Sequence, residues 1–279
     1  MTQRKVERAW QAMAARDGAG VNLNRALGAS QDQRLDPFLM LDAFSSADPN
    51  DYIAGFPAHP HRGFETVTYI VNGHMGHKDH LGNEGDLKAG GVQWMTAGRG
   101  IIHEEMPQQE QGLLRGFQIW LNLPAKEKMQ KASYKDIPKE AMPWQDLAAG
   151  GQIKLIAGSL DGATVQPDNT RQTAPIIADV QLKASSEEVL HIPADHQAMV
   201  YVFEGELSIA GRTLKSNDAA ILSAGEELAF SSTSSPARLL LLAGKALNEP
   251  IVQYGPFVMN TEEEIQQAIA DYREGTLTA

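Results

Sequence analysis

The sequence predicts an all-β protein: two similar, jelly-roll-like β-barrels in one chain, followed by a short C-terminal helix. Three observations predict it. Short runs rich in β-branched and aromatic residues, punctuated by glycine, recur along most of the chain. The layout of the first block returns in the second, the mark of an internal duplication. The last segment then changes from an alternating to a helical period.

In the first block, "TVTYIVNG" closes at Asn72-Gly73, a strong hairpin signal. "HLGNEGDL" contains a second turn around Gly82-Asn83. "GVQWMTAG", "RGFQIWLNLP" and "IKLIAG" continue at the short intervals expected of a sandwich or barrel. Between about Pro124 and Gly151 the pattern lapses into a charged stretch with prolines at 124, 138 and 143, which reads as a connection on the surface. In the second block "QAMVYVFEGELSIAGRTL" repeats the layout of "ETVTYIVNGHMGHKDHL", and "DAAILSAGEELAFSS" that of "GGVQWMTAGRGIIHEEM". The expected domains are therefore residues 1–135 and 136–279. The closing helix has Thr261 as N-cap, Glu264 three residues on, and Ile265, Ala268, Ile269 and Tyr272 at helical spacing.

Composition narrows the function. The 279 residues are 42% hydrophobic and carry a net charge of −11, from 35 acidic and 24 basic side chains. Lys and Arg are scattered, so the basic patch that neutralises phosphates is missing and direct nucleic-acid binding is not expected. No window offers the roughly 18 consecutive apolar residues of a membrane helix, and the polar start "MTQRKVERAW" lacks a secretory core. A cytoplasmic protein without membrane contact is the expectation. With no cysteine, disulfides and zinc–thiolate sites are excluded.

The chemistry lies in the first block. His59 and His61 in "FPAHPHRGFE" stand at i and i+2, on one face of an extended chain. His103 and Glu105 in "GRGIIHEEMP" repeat that spacing. If both strands face one interior, three imidazoles and a carboxylate hold a first-row divalent ion, and an octahedral shell leaves two positions open. Without a thiolate the donor set admits Fe(II), Mn, Ni, Co, Cu or Zn. If one strand runs unbroken from His59, Glu65, Val67, Tyr69 and Val71 share its inward face. An interior carboxylate needs a partner, so Glu65 is expected beside the site, as a supporting group or alternative ligand. His74, His77 and His80 lie by a turn and read as solvent-exposed. His191 and His196 lack the paired spacing, so the second barrel is expected to be metal-free. Phe64, Trp94, Met95, Met106 and Trp120 read as core, some of them lining the cavity if the metal is reachable. Gln118 reads as a pocket candidate, and Arg62 and Arg99 as surface ion-pair partners ahead of the alternative that they steer an anionic substrate.

These residues carry a resemblance. "HPHRGFETVTYIVNG", "LGNEGDLKAGGVQWMTAGRGIIHEEMP" and "GFQIWLNLP" resemble the N-terminal signature of the pirin family, within the cupin superfamily. "LDPFLMLDAF" and "EPIVQYGPFVMNTEEEIQQAIADYREG" are similar to pirin segments too. The resemblance implies a bicupin with a metal, most often iron, in the first barrel alone, held by His59, His61, His103 and Glu105. Two activities are implied. One is a quercetin 2,3-dioxygenase, opening a flavonol-like ring with O2, with Glu105 or Glu65 taking the substrate's hydroxyl proton. The other is a metal- or redox-sensing regulator that binds a protein partner.

Overall fold

The computed structural model describes residues 1–30, 33–165 and 172–279. They fall into two compact units whose segments interleave along the chain. One comprises Ala14–Arg25, Phe38–Lys139 and Asn248–Ala279; the other comprises Met1–Met13, Ala26–Pro37 and Glu140–Leu247. Each is a flattened, two-sheet cupin-like form of the expected barrel. Among the described residues, no helix is long and apolar enough to cross a membrane.

The first unit is built on eight antiparallel strands: β1 (Phe38–Ser46), β2 (Phe56–His61), β3 (Phe64–Asn72), β4 (His74–Asp79), β5 (Glu84–Lys88), β6 (Val92–Thr96), β7 (Ile101–Pro107) and β8 (Leu114–Asn122). The small sheet runs β2-β7-β4-β5, and the large one contains β6-β3-β8-β1. The second unit repeats the plan with β9 (Ile176–Leu182), β10 (Glu187–His191), β11 (His196–Glu204), β12 (Glu206–Ile209), β13 (Arg212–Lys215), β14 (Asp218–Leu222), β15 (Glu227–Ser232) and β16 (Ala237–Lys245). Its sheets run β10-β15-β12-β13 and β14-β11-β16-β9. Adding eight to each label converts one order into the other, so the duplication read from the sequence holds strand by strand. The hairpin glycines correspond as well, since Gly73 and Gly205 both have positive φ.

Two sequence expectations need correction. The chain from His59 is not one strand. It breaks between β2 and β3 at Gly63 (φ +91°), where a Cβ would sit 2.0 Å from the Val258 carbonyl oxygen. Only glycine allows that approach. The region 124–151 is also more than a surface connection. Ser133–Ile137 pairs with β6, Trp144–Asp146 is a strand of the second unit, and Lys128 is fully buried. Charge and proline masked these strands because a single edge pairing needs no alternating apolar face.

The C-terminal helix, Glu262–Arg273, forms the expected capping box between Thr261 and Glu264. It buries Ile265 and Ala268 in a cluster with Phe257, Met259 and Leu277, while Tyr272 stays exposed. By contacts it belongs to the first unit.

Candidate metal centre

The small sheet of the first unit brings the predicted pairs together. β2 and β7 pair antiparallel, with His103 opposite His59 and Ile101 opposite His61. Residues two apart on each strand share a face, and the donor atoms of His59, His61 and His103 all lie within 4.8 Å of one another. The imidazole centroids of His59 and His103 are 4.4 Å apart, and those of His61 and His103 are 4.9 Å apart. Glu105 follows on β7, and its donor lies within 4.8 Å of those of His103 and of a further histidine, His77 on β4. Register explains the addition, because His77 stands opposite Glu105.

Burial sets the protonation states. His61, His103 and Glu105 are buried, and His59 is half-buried. Desolvation, with the neighbouring imidazoles, holds His61 and His103 well below the usual histidine range. Both are therefore neutral near pH 7, the form in which an imidazole donates a lone pair. His59 Nδ1 lies 2.8 Å from the Pro57 carbonyl oxygen. A carbonyl only accepts, so in the neutral ring Nδ1 carries the proton and Nε2 is left as the donor atom for a metal. The Nε2 atoms of His61, His77 and His103 are buried and have no hydrogen-bond partner among the described residues. Buried polar atoms are seldom left so. Nitrogens that converge without protein partners, beside a carboxylate, fit a divalent cation.

The large sheet supports the carboxylate. Thr68 on β3 lies 2.8 Å from Glu105 Oε1 and 2.5 Å from Gln118 Oε1. Its single proton serves one of these contacts at a time. Gln118 Nε2 reaches Glu105 Oε2 at 3.5 Å. Phe64 and Trp120 stand edge-on to His61, at 5.1 Å and 5.4 Å. The turn after His61 is pinned from below. Lys128 Nζ donates to the Gly63 and Val258 carbonyls at 2.7 Å and 3.0 Å and to Asn122 Oδ1 at 2.6 Å, and burial lowers its pKa to about 8. Arg62, also buried, pairs with Asp271 of the helix at 2.6 Å and donates to the Leu277 and Arg99 carbonyls.

Comparison with known proteins gives this arrangement its family. The pirin profile matches residues 20–121, and the profile of the pirin C-terminal cupin domain matches residues 177–278. The chain belongs to the pirin family. This pirin is 52% identical over 273 residues to a Pseudomonas aeruginosa protein named provisionally as a quercetin 2,3-dioxygenase, with 94% of each chain covered. The crystal structure of a quercetin 2,3-dioxygenase from Acinetobacter baumannii superposes with a TM-score of 0.92 at 34% identity, covering 100% of this chain and 99% of that one. An Escherichia coli pirin in complex with nickel(II) matches in fold, with a TM-score of 0.64 at 19% identity over 86% of this chain and 99% of that one.

Other expected residues lie elsewhere in this pirin. The break at Gly63 reverses strand parity, so Phe64, Thr66 and Thr68 take the face that reaches Glu105. Glu65 takes the opposite face with Val67 and Tyr69, and its Oε1 accepts from Thr96 at 2.6 Å. It is absent from both ligand-distance groups. His74 pairs with Asp86, and His80 Nδ1 accepts from the Ile102 amide at 3.3 Å. His191 and His196 pair with Asp161 and Asp195 in the second unit. Arg62 forms a buried ion pair rather than a surface one. Gln118 does join the site. Sequence reasoning missed His77, Thr68 and Tyr134, whose ring stacks on His77 at 4.9 Å. The signal for His77 lay in the duplication: it stands four residues after Gly73, where the second block has Ile209, a core residue, four after Gly205.

Proposed function

We propose that this pirin is a metal-dependent dioxygenase that opens a flavonol-type ring, with His59, His61, His103 and Glu105 as ligands. One observation carries the reading: three histidine donors, two of them buried and neutral, converge within 4.8 Å beside the hydrogen-bonded carboxylate of Glu105. The dioxygenase names of the Pseudomonas relative and the Acinetobacter structure support it. A bound divalent ion, with Fe(II) the first candidate, would supply Lewis acidity and a template for the substrate's adjacent hydroxyl and carbonyl oxygens.

The protein's own groups do the rest. Glu105 is the base that takes the 3-hydroxyl proton, and Thr68 and Gln118 fix its direction. Phe64 and Trp120 shield His61 from water, which strengthens the electrostatics of the site. Half-buried His59 marks the side open to substrate. Glu65, facing away, has no part in the reaction. Overall, one O2 adds to the deprotonated flavonol, two ring carbon–carbon bonds break, and one carbon leaves as carbon monoxide.

The test is anaerobic loading with Fe(II), then quercetin and air, with oxygen uptake and carbon monoxide release recorded together. Equal uptake and release, abolished in His61→Ala, is the expected result. No uptake by the fully loaded protein would overturn the reading and favour a regulator that acts through a protein partner.

A further inference from the structure

His77 is a buried imidazole that the reading above leaves without work. Its donor lies within 4.8 Å of those of His103 and Glu105, so it forms a second three-donor group that shares two members with the proposed ligand set. Its Nε2 has no hydrogen-bond partner among the described residues, and its Nδ1 is 3.4 Å from that of His103. Because His77 and Glu105 face each other across adjacent strands, one could replace the other by side-chain motion alone.

The ring is also held in place. Tyr134 stacks on it with the planes 20° apart, and the Tyr134 hydroxyl donates to Asp136 at 2.6 Å. Gly85 makes room for that tyrosine, since a Cβ there would lie 1.7 Å from the Tyr134 hydroxyl. The duplication supplies independent support. Each proposed ligand corresponds by register to a buried apolar residue of the second unit: His59 to Leu190, His61 to Ile192, His103 to Leu228 and Glu105 to Phe230. His77 corresponds to Ile209 in the same core cluster. It thus departs from the apolar pattern together with the four ligands.

We propose that His77 is a reserve ligand of the metal centre, an imidazole that takes the position of Glu105 when the carboxylate leaves the ion. The proposal rests on the metal centre described above, where Glu105 is both ligand and base. The exchange breaks one metal–oxygen bond, forms one metal–nitrogen bond and transfers no electron. A neutral imidazole suits the same first-row divalent ions, so four protein donors would hold the ion both before and after the exchange.

The test is a double-mutant cycle on metal binding that requires no turnover. Nickel(II) affinity is measured by chelator competition in the full-length wild type, His77→Phe, Glu105→Gln and the double variant. Phenylalanine keeps the stacking on Tyr134 and removes the donor; His77→Leu serves if His77→Phe does not fold. Removing a side chain that merely supports a metal ligand typically costs about 10- to 100-fold in affinity, and removing a direct ligand should cost at least the lower of these. His77→Phe alone is expected to change affinity by less than about threefold, but by at least about tenfold in the Glu105→Gln background. Loaded with copper(II), Glu105→Gln should show one more nitrogen in its electron paramagnetic resonance hyperfine pattern than the wild type, lost again in the double variant. Equal affinity in Glu105→Gln and the double variant, or an unchanged nitrogen count, would overturn the proposal. So would a tenfold loss in His77→Phe alone, which would make His77 a permanent ligand or support. His61→Ala separates the two levels. If it keeps wild-type affinity, the metal centre itself is misplaced and the proposal falls with it. If it loses the ion, failure of the cycle concerns His77 alone.

Discussion

The two units share a strand plan and fill it with opposite contents. Where the first places His59, His61, His77, His103 and Glu105 on the small sheet, the second has Leu190, Ile192, Ile209, Leu228 and Phe230. Across from them, Thr68, Gln93 and Gln118 of the large sheet correspond to Val200, Ala220 and Leu241. All eight counterparts belong to one apolar cluster. The fold therefore does not require a polar interior, and the second unit shows what the same strands do when stability alone is served. The polar interior of the first unit carries a cost, because buried polar groups destabilise unless something satisfies them. The imidazole nitrogens without partners are where that cost remains, and an ion binding only the folded state would offset it.

Swapping contents between the units should produce the largest effects. Phe230→Glu puts the counterpart of Glu105 into an apolar core with no cation beside it. Burial of an unpaired charge should cost at least about 4 kcal/mol, seen as loss of cooperative unfolding in urea. The converse swap, Glu105→Phe, should leave the fold intact while weakening ion binding.

Next in size is the loss of a single ligand. His61→Ala should weaken nickel(II) binding by at least about 100-fold. His191→Ala and His196→Ala, in the second unit, should leave it unchanged. A comparable loss from either of those would break the contrast between the units.

Acid should distinguish the units as well. Burial holds the folded-state pKa values of His61 and His103 well below those of the unfolded chain. Below about pH 6.5, where free histidine protonates, the unfolded state binds more protons, so stability falls as pH falls. The metal-free protein should lose stability over this range, and His61→Leu/His103→Leu should flatten the profile. Unfolding midpoints measured between pH 7.5 and 5 test this, and an unchanged slope in the double variant would contradict it.

The smallest predicted effect concerns support. Thr68→Val keeps the shape and removes the hydroxyl near Glu105, matching Val200 of the second unit. Loss of a hydrogen bond to a charged group costs about 1.5–3 kcal/mol of stability, so the unfolding midpoint should drop, and turnover should fall as Glu105 loses its support.

Much of this contrast was legible in the chain. The repeated spacing of His59/His61 and His103/Glu105 picked out three histidines whose donors the strands bring within 4.8 Å of one another and a carboxylate equally close to His103, and the repeated glycine-punctuated layout showed the duplication. Glu65 was misplaced for a definite reason. Parity arguments assume an unbroken strand, and Gly63 interrupts it where the backbone of residues 256–258, distant in sequence, comes close. His77 was obscured by His74 and His80, two more exposed neighbours at regular spacing beside a turn. Tyr134 was hidden in a charged segment whose only strand signal is pairing with β6. What the sequence withheld depends on contacts between distant segments, which local pattern cannot carry.

The most direct test of the central claim is the metal content of the protein after nickel(II) loading and gel filtration, for the wild type beside His61→Ala and His191→Ala. One ion per chain in the wild type and in His191→Ala, with none in His61→Ala, is the predicted result. An ion retained by His61→Ala, or a second ion lost in His191→Ala, would contradict the division of one fold into a metal-holding unit and an apolar one.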